Sequence, residues 1–280
     1  MSVKIGVIGL GLIGGSIAKA WRSKGHEVYG YDNDQGSVTR AIGDGVIEPE
    51  WEWRQWVSRV DHVVVATPVA TVAQWIRDIT IVGREGPGVL VDISSVKTPI
   101  LTALQQVSSP WQAVSFHPMA GSERRGYAAS RRDLFSGFAC AVIVGDLPPP
   151  PREIVSQWMT VLEMHAESVT AAEHDAMVAA VSHLPYIISA TLLAAVAAEN
   201  PMAGRLAGPG FRDTTRVGAS DPGLWDEILR ANRNEVQKAL GHYQRLLAQC
   251  QEDLSQDRFP ALLRDCPQKR HELVHERPII

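Results

Sequence analysis

Cysteine is scarce in this chain and follows no pattern. Cys140, Cys250 and Cys266 are odd in number, scattered and without metal-ligand spacing, which argues against a disulfide framework or a zinc site and for a reducing, cytoplasmic setting. An excess of positive charge is missing too. The 27 Lys and Arg residues face 31 Asp and Glu, for a net charge of −4, leaving no electrostatic footprint for nucleic acid or an anionic membrane. Residues 1–15 are studded with glycine and hold one positive charge, Lys4, so they do not read as a signal peptide. Repeats and low-complexity tracts are absent. One long uncharged apolar run stands out, residues 177–198, long enough to span a bilayer. His183 and Pro185 interrupt it, Asp175 and Glu199 flank it, and its far side lacks basic or aromatic anchors. It therefore reads as a helix buried between subunits, which predicts a homodimer outside the membrane.

What is present fills 280 residues, enough for two domains with full cores. A β-rich run over 3–8 feeds Gly9-Leu10-Gly11-Leu12-Ile13-Gly14 and then a helical stretch over 16–24. That spacing, between a strand and a helix, is the setting in which glycines bind a dinucleotide. Gly9 permits the tight turn, Gly11 lets a pyrophosphate approach, and Gly14 allows close helix packing, while Leu12 and Ile13 open a helix whose free N–H groups face the phosphates. The strand expected over 27–31 ends at Asp32, placed to accept hydrogen bonds from ribose hydroxyls and to repel a 2′-phosphate, which favours NAD over NADP. Asp32 also suits a plain turn in Asp-Asn-Asp-Gln-Gly. A buried strand over 61–66 ends at Thr67-Pro68, where cofactor contacts gather. Another over 89–93 runs into Ser95 and Lys97, which suit either a site or a helix start. The tryptophan-rich segment 50–56 reads as packing. The alternation predicts a mostly parallel, doubly wound α/β sheet.

At the centre lies Ser115-Phe116-His117-Pro118-Met119-Ala120-Gly121-Ser122-Glu123, a strand end presenting an imidazole in a tight loop, suited to proton transfer near neutral pH. Arginines 124, 125, 131 and 132 suit an anionic ligand or solvent. Strands over 138–144 and 166–169 and a helix over 153–164 complete the first domain, 1–169. The second, 170–280, reads as all helical: 171–199, 202–206, one long helix over 222–254 started by Asp221 and Pro222, and 259–263, with a frayed polar tail after Cys266. Between them, Arg212 and Arg216 sit in a glycine-rich connector, ready to grip a carboxylate, to pair with Asp213 or to cap carbonyls.

Together these stretches resemble the prephenate and arogenate dehydrogenases of tyrosine biosynthesis. The match runs through the glycine motif, Asp92-Ile93-Ser94-Ser95-Val96-Lys97 and His117-Pro118-Met119-Ala120-Gly121-Ser122-Glu123. It continues in Glu173-His174-Asp175, Ser182-His183-Leu184-Pro185, Gly210-Phe211-Arg212-Asp213 with Thr215-Arg216, and Asp221-Pro222 with Trp225. The resemblance implies a Rossmann domain, a helical dimerising domain, an active site between them and no metal. It implies that His117 accepts the proton of the ring C4 hydroxyl as hydride leaves, that Ser95 holds hydroxyl and imidazole in register, and that Arg216 binds the carboxylate lost as carbon dioxide. Glu123, His174 and His183 match further site positions, and Trp225 would line the site from the partner subunit. Where many prephenate-type members have a histidine, this chain has Tyr186, which cannot become cationic. Acids at Glu123 and Asp175 suit an ammonium, so arogenate is expected to hold a slight advantage over prephenate, although Arg124, Arg125 or Arg212 offers a replacement cation. A tyrosine-sensing module found in some relatives is expected to be missing. Two other classes compete. A hydroxyacid dehydrogenase or imine reductase would usually place a lysine on the helical domain, and none lies between Thr98 and Arg233. A nucleotide sensor without turnover would not need His117 and Ser95 beside the nicotinamide.

Overall fold

The computed structural model describes residues 2–50 and 52–274; Trp51 and residues 275–280, on which parts of the packing and tail expectations fell, lie outside the described residues. Runs rich in valine and isoleucine form strands such as Lys4–Ile8 and Gly88–Asp92, closed by Gly9 and Asp92. The chain opens with β1 (Lys4–Ile8), α1 (Leu12–Ser23), β2 (Glu27–Tyr31), α2 (Gln35–Gly43) and a short α3 (Trp53–Trp56). It continues with β3 (His62–Val65), α4 (Val69–Thr80), β4 (Gly88–Asp92), α5 (Leu101–Gln105) and β5 (Trp111–Pro118). β6 (Ala139–Ile143), α6 (Arg152–Leu162) and β7 (His165–Val169) complete a seven-stranded sheet ordered β2-β1-β3-β4-β5-β6-β7. Neighbours are parallel except β5 and β6. The doubly wound sheet is as expected, and its order reverses between β1 and β3, whose carboxyl ends flank the crevice where such sheets hold ligands.

Except at the exposed edge strand β7, both faces of the sheet are buried, which is why strands such as β3 and β4 read as continuous apolar runs. Ile5 and Val7 join Trp21 and Trp158 in one core; Ile8, Val63 and Val65 join Trp56, Ile76 and Leu104 in the other. Trp53 and Trp56 are buried, so the packing role expected of that segment is fulfilled by the described tryptophans. In the first core the Trp158 indole N–H donates to Nδ1 of buried His62 at 3.0 Å.

After β7 only helices follow. Thr170 and Glu173 form a capping box that starts α7 (Ala171–Val178). A π-helical turn, Ala179–His183, joins it to α8 (Leu184–Glu199). Pro185 explains the turn: it lacks an N–H and crowds the carbonyl four residues back, so the ladder widens there. The resulting helix Ala171–Glu199 is long and apolar enough to cross a membrane, with 22% of its most apolar window buried within the chain. Next come a 3-10 turn, Pro201–Leu206, then α9 (Pro209–Thr215), α10 (Pro222–Ala231) and α11 (Arg233–Ser255). The single helix expected over 222–254 is thus two. Asn232 ends the first by turning its side chain inward, where its amide donates to the Asp175 carbonyl at 2.7 Å. The helix expected over 259–263 is α12 (Ala261–Arg264), and the tail after Cys266, expected to fray, is helical as α13 (Cys266–Leu273). Pro267 preorganises the first turn of α13, and Gln268 bonds Glu272 one turn on. Residues through Arg233 form one compact unit and those from Asn234 a second, so α7 to α10 belong with the sheet.

Burial lowers the His62 pKa to about 4, against a smaller opposing effect of Asp61. The unfolded chain, with His62 near 6.5, binds this proton first, so stability is full above that pH and declines as pH falls toward 4, by roughly 3 kcal/mol from this group. Urea unfolding from pH 7.5 to 4.5 is expected to show that decline, and His62→Gln, which still accepts the indole N–H, is expected to flatten it.

Candidate active site

The glycine turn is built by close contact. Gly9 has φ +96°, and a Cβ there would lie 2.6 Å from the Ala66 carbonyl oxygen; one on Gly14 would lie 1.9 Å from the Gly9 oxygen. A Cβ on Gly11 would meet nothing within 4 Å, leaving an open surface at the helix start. The N-cap of α1, Gly11, provides no side-chain hydrogen bond, which leaves the N–H groups of Leu12 and Ile13 open to a ligand. Asp32 forms the turn that its setting in Asp-Asn-Asp-Gln-Gly suggested. Its carboxylate accepts the Leu10 N–H at 2.6 Å and the Asp34 N–H at 2.8 Å, shaping the turn, and its remaining lone pairs suit ribose hydroxyls. Thr67, bonded by the Thr71 hydroxyl, and Pro68, which starts α4, close the other side beside Gly9. These residues fit a dinucleotide.

His117 lies not in a loop, as expected, but within β5, because β6 pairs antiparallel with it through Pro118. Its Nδ1 is 2.8 Å from His174 Nε2, and His174 Nδ1 is 2.8 Å from Asp175 Oδ1. Asp175 also accepts the backbone N–H groups of Lys97 and Thr98, each at 2.8 Å. Burial works to raise the Asp175 pKa, but the bonds from His174, Thr98 and Lys97 outweigh it and hold the carboxyl below its ordinary value. The Lys97 ammonium, 1% exposed, donates to Asp92 at 2.7 Å and to the Phe116 carbonyl at 2.6 Å. Asp92 is completed by the Ser115 hydroxyl and the Ser94 N–H. Desolvation first, then the Lys97 charge, keeps half-buried His117 well below the ordinary histidine pKa. The ring is therefore neutral at neutral pH.

From Asp175 the contacts run on. The Asn232 amide that bonds its carbonyl also faces His183 Nδ1 at 3.2 Å. Burial lowers the His183 pKa to about 4, so this ring is neutral and offers its other nitrogen as a donor. Trp225 meets His183 edge-on and stacks on Tyr186, with ring centroids 4.0 Å apart. Trp225 thus packs on two rings of its own chain. Arg216 pairs with Glu123 at 3.5 Å, and Arg125 with Asp221 at 2.6 Å, both exposed links from the loop after β5 to the segment around α9 and α10.

Three expectations change. Asp175 does not face a ligand ammonium, because three N–H donors already occupy its buried carboxylate. Ser95 is half-buried and has no hydrogen-bond partner among the described residues, and the ring partner of His117 is His174. Arg212 is exposed and likewise unpartnered among them, so the connector brings one arginine, Arg216, to Glu123. Sequence reasoning missed the roles of Asp92, Ser115 and Asn232. An acid closing the buried run Val89-Leu90-Val91, five residues before a lysine, was the available signal.

Two family models match: the prephenate dehydrogenase nucleotide-binding domain over residues 17–169 and the prephenate dehydrogenase dimerization domain over 170–266. The prephenate dehydrogenase of Bacillus subtilis (strain 168) is 32% identical over 238 residues, covering 81% of this chain and 64% of the relative. The chain therefore spans just under two thirds of that relative's length. A cyclohexadienyl dehydrogenase of Zymomonas mobilis is 28% identical over 257 residues, 85% of this chain and 84% of the relative. The crystal structure of Synechocystis arogenate dehydrogenase superposes with a TM-score of 0.79 at 29% identity, over 97% of this chain and 100% of that one.

The buried Lys97–Asp92 pair yields a stability prediction. Asp92→Asn and Lys97→Met each strand a buried charge and are expected to cost about 3–5 kcal/mol in urea unfolding. The double variant should cost clearly less than the two losses added. Simple additivity would contradict the pairing.

Proposed function

Because the chain belongs to the prephenate dehydrogenase family, we propose that it catalyses oxidative decarboxylation of a cyclohexadienol in tyrosine biosynthesis, with NAD as cofactor and arogenate as the better substrate. The observation that carries this reading is the neutral His117 ring, tied through Nδ1 to His174 so that Nε2 remains for substrate. The glycine turn, Leu12, Ile13, Thr67 and Pro68 would hold the dinucleotide, with Asp32 taking the ribose hydroxyls and disfavouring NADP. When bound, the nicotinamide supplies the hydride acceptor.

His117 Nε2 takes the proton of the C4 hydroxyl as hydride leaves C4, with Ser95 beside that hydroxyl. The dienone's C1 carboxylate then leaves as carbon dioxide, and its bond electrons aromatise the ring. His117 returns its proton to the phenolate oxygen, so the base ends as it began. Arg216 binds the ring carboxylate, and in turning to it releases Glu123. A freed acid, a neutral His183 and a Tyr186 stacked on Trp225 suit an ammonium-bearing side chain better than a keto acid with one more negative charge. Prephenate remains the other substrate, with Arg124 or Arg212 as its cation. We place the cofactor role in residues 1–169 and the substrate and dimer roles in 170–280. A homodimer is supported by the dimerization-domain match and by Met177 and Val181, 55% and 68% exposed on the apolar helix.

Steady-state assays crossing arogenate and prephenate with NAD and NADP test the reading. The highest kcat/KM is expected for arogenate with NAD. Faster loss of prephenate from an equimolar mixture would overturn the substrate choice, and better use of NADP would overturn the role of Asp32. Failure of every combination would overturn the reaction itself.

A further inference from the structure

The hydrogen-bond chain that ends at His117 has a direction. Asp175 is ionised and can only accept, so His174 must donate to it from Nδ1. A neutral His174 then has a lone pair on Nε2, and the atom 2.8 Å away, His117 Nδ1, must be the donor. The opposite polarity would require a doubly protonated His174, 2% exposed, in a cluster that already holds the buried Lys97 ammonium. Two further donors, the Lys97 and Thr98 N–H groups, fix the Asp175 carboxylate in place.

We propose that Asp175, acting through His174, holds the proton of resting His117 on Nδ1 and so makes Nε2 the base; the proposal rests on the function given above. His174 and Asp175 are positioning residues. When Nε2 takes the substrate proton, His117 becomes a cation whose Nδ1–H still donates to His174, and the Asp175 charge offsets it through that ring. No proton leaves the chain, and the one on Nε2 returns to the phenolate. The titratable groups facing His117 are Lys97 before α5, His174 on α7 and His183 on the π turn. Cys140, on β6, lies against its backbone, and burial pushes that thiol to about 12, so it stays uncharged. Asp92 and Asp175 supply the two negative charges of the cluster, one through Lys97 and one through His174.

The test compares unmodified protein, His174→Leu and His174→Gln, each assayed across pH with NAD and both dienols. His174→Leu is expected to lose more than about tenfold in kcat with little change in KM. The acid limb of its kcat/KM profile should move to lower pH, because the His117 cation loses its acceptor. The Gln amide oxygen can accept the same Nδ1–H, so His174→Gln should recover most of the loss. A His174→Leu protein that melts earlier but keeps the original kcat and pH profile would reduce His174 to a packing role and overturn the proposal. Ring-nitrogen NMR of unmodified, 15N-labelled protein gives a second reading independent of turnover. A neutral His117 protonated on Nδ1 is expected, and protonation on Nε2 would overturn the proposal even if neither dienol is a substrate.

Discussion

The buried Asp175 carboxylate accepts three N–H groups, two from the backbone just after β4 and one from the neighbouring His174 ring. The Lys97 N–H and the His174 ring are buried, so removing the acceptor would leave both unsatisfied, at about 1–3 kcal/mol apiece. The carboxylate therefore does two things with one charge. It pins the start of α7 to the carboxyl edge of the sheet, and it orients the imidazole that reaches His117. The Asn232 bond to the Asp175 carbonyl extends the same fixed point to the end of α10 and to His183.

Lys97 is the counterweight. Burial lowers its pKa, yet Asp92 and the Phe116 carbonyl hold the ammonium beneath the end of β5. That positive charge, with desolvation, keeps His117 neutral, while Asp175 keeps its ring in one orientation. A base that is neutral before reaction and compensated after it is what a transient proton requires. The exposed Arg216–Glu123 pair is built differently: weak, solvated and six residues beyond His117, it can exchange partners at little cost.

Much of this was legible in the residues. The glycine spacing placed Gly9, Gly11 and Gly14 in a strand-to-helix turn, and apolar runs located β1, β3, β4 and β6 to within a residue or two. His117 was found from its proline and small-residue neighbours, although its place inside a strand was not, because antiparallel pairing by β6 is a long-range contact. The break at Asn232 escaped for a similar reason: helical periodicity continues across it, and the amide's partner lies 57 residues earlier. Asp175 looked like a ligand for an ammonium because its charge is visible in sequence and its three donors are not. Asp92 and Ser115 belong to adjacent strands whose register aligns them, which spacing along the chain does not disclose.

The central claim is that this network presents His117 as the base for dienol oxidation. Replacing His117 by Asn and measuring turnover of arogenate with NAD, alongside NAD titration and thermal unfolding, tests it most directly. The account predicts a loss in kcat of about a hundredfold or more, with cofactor affinity and melting temperature close to those of the unmodified protein. A His117→Asn protein that turns over at nearly the unmodified rate would contradict it.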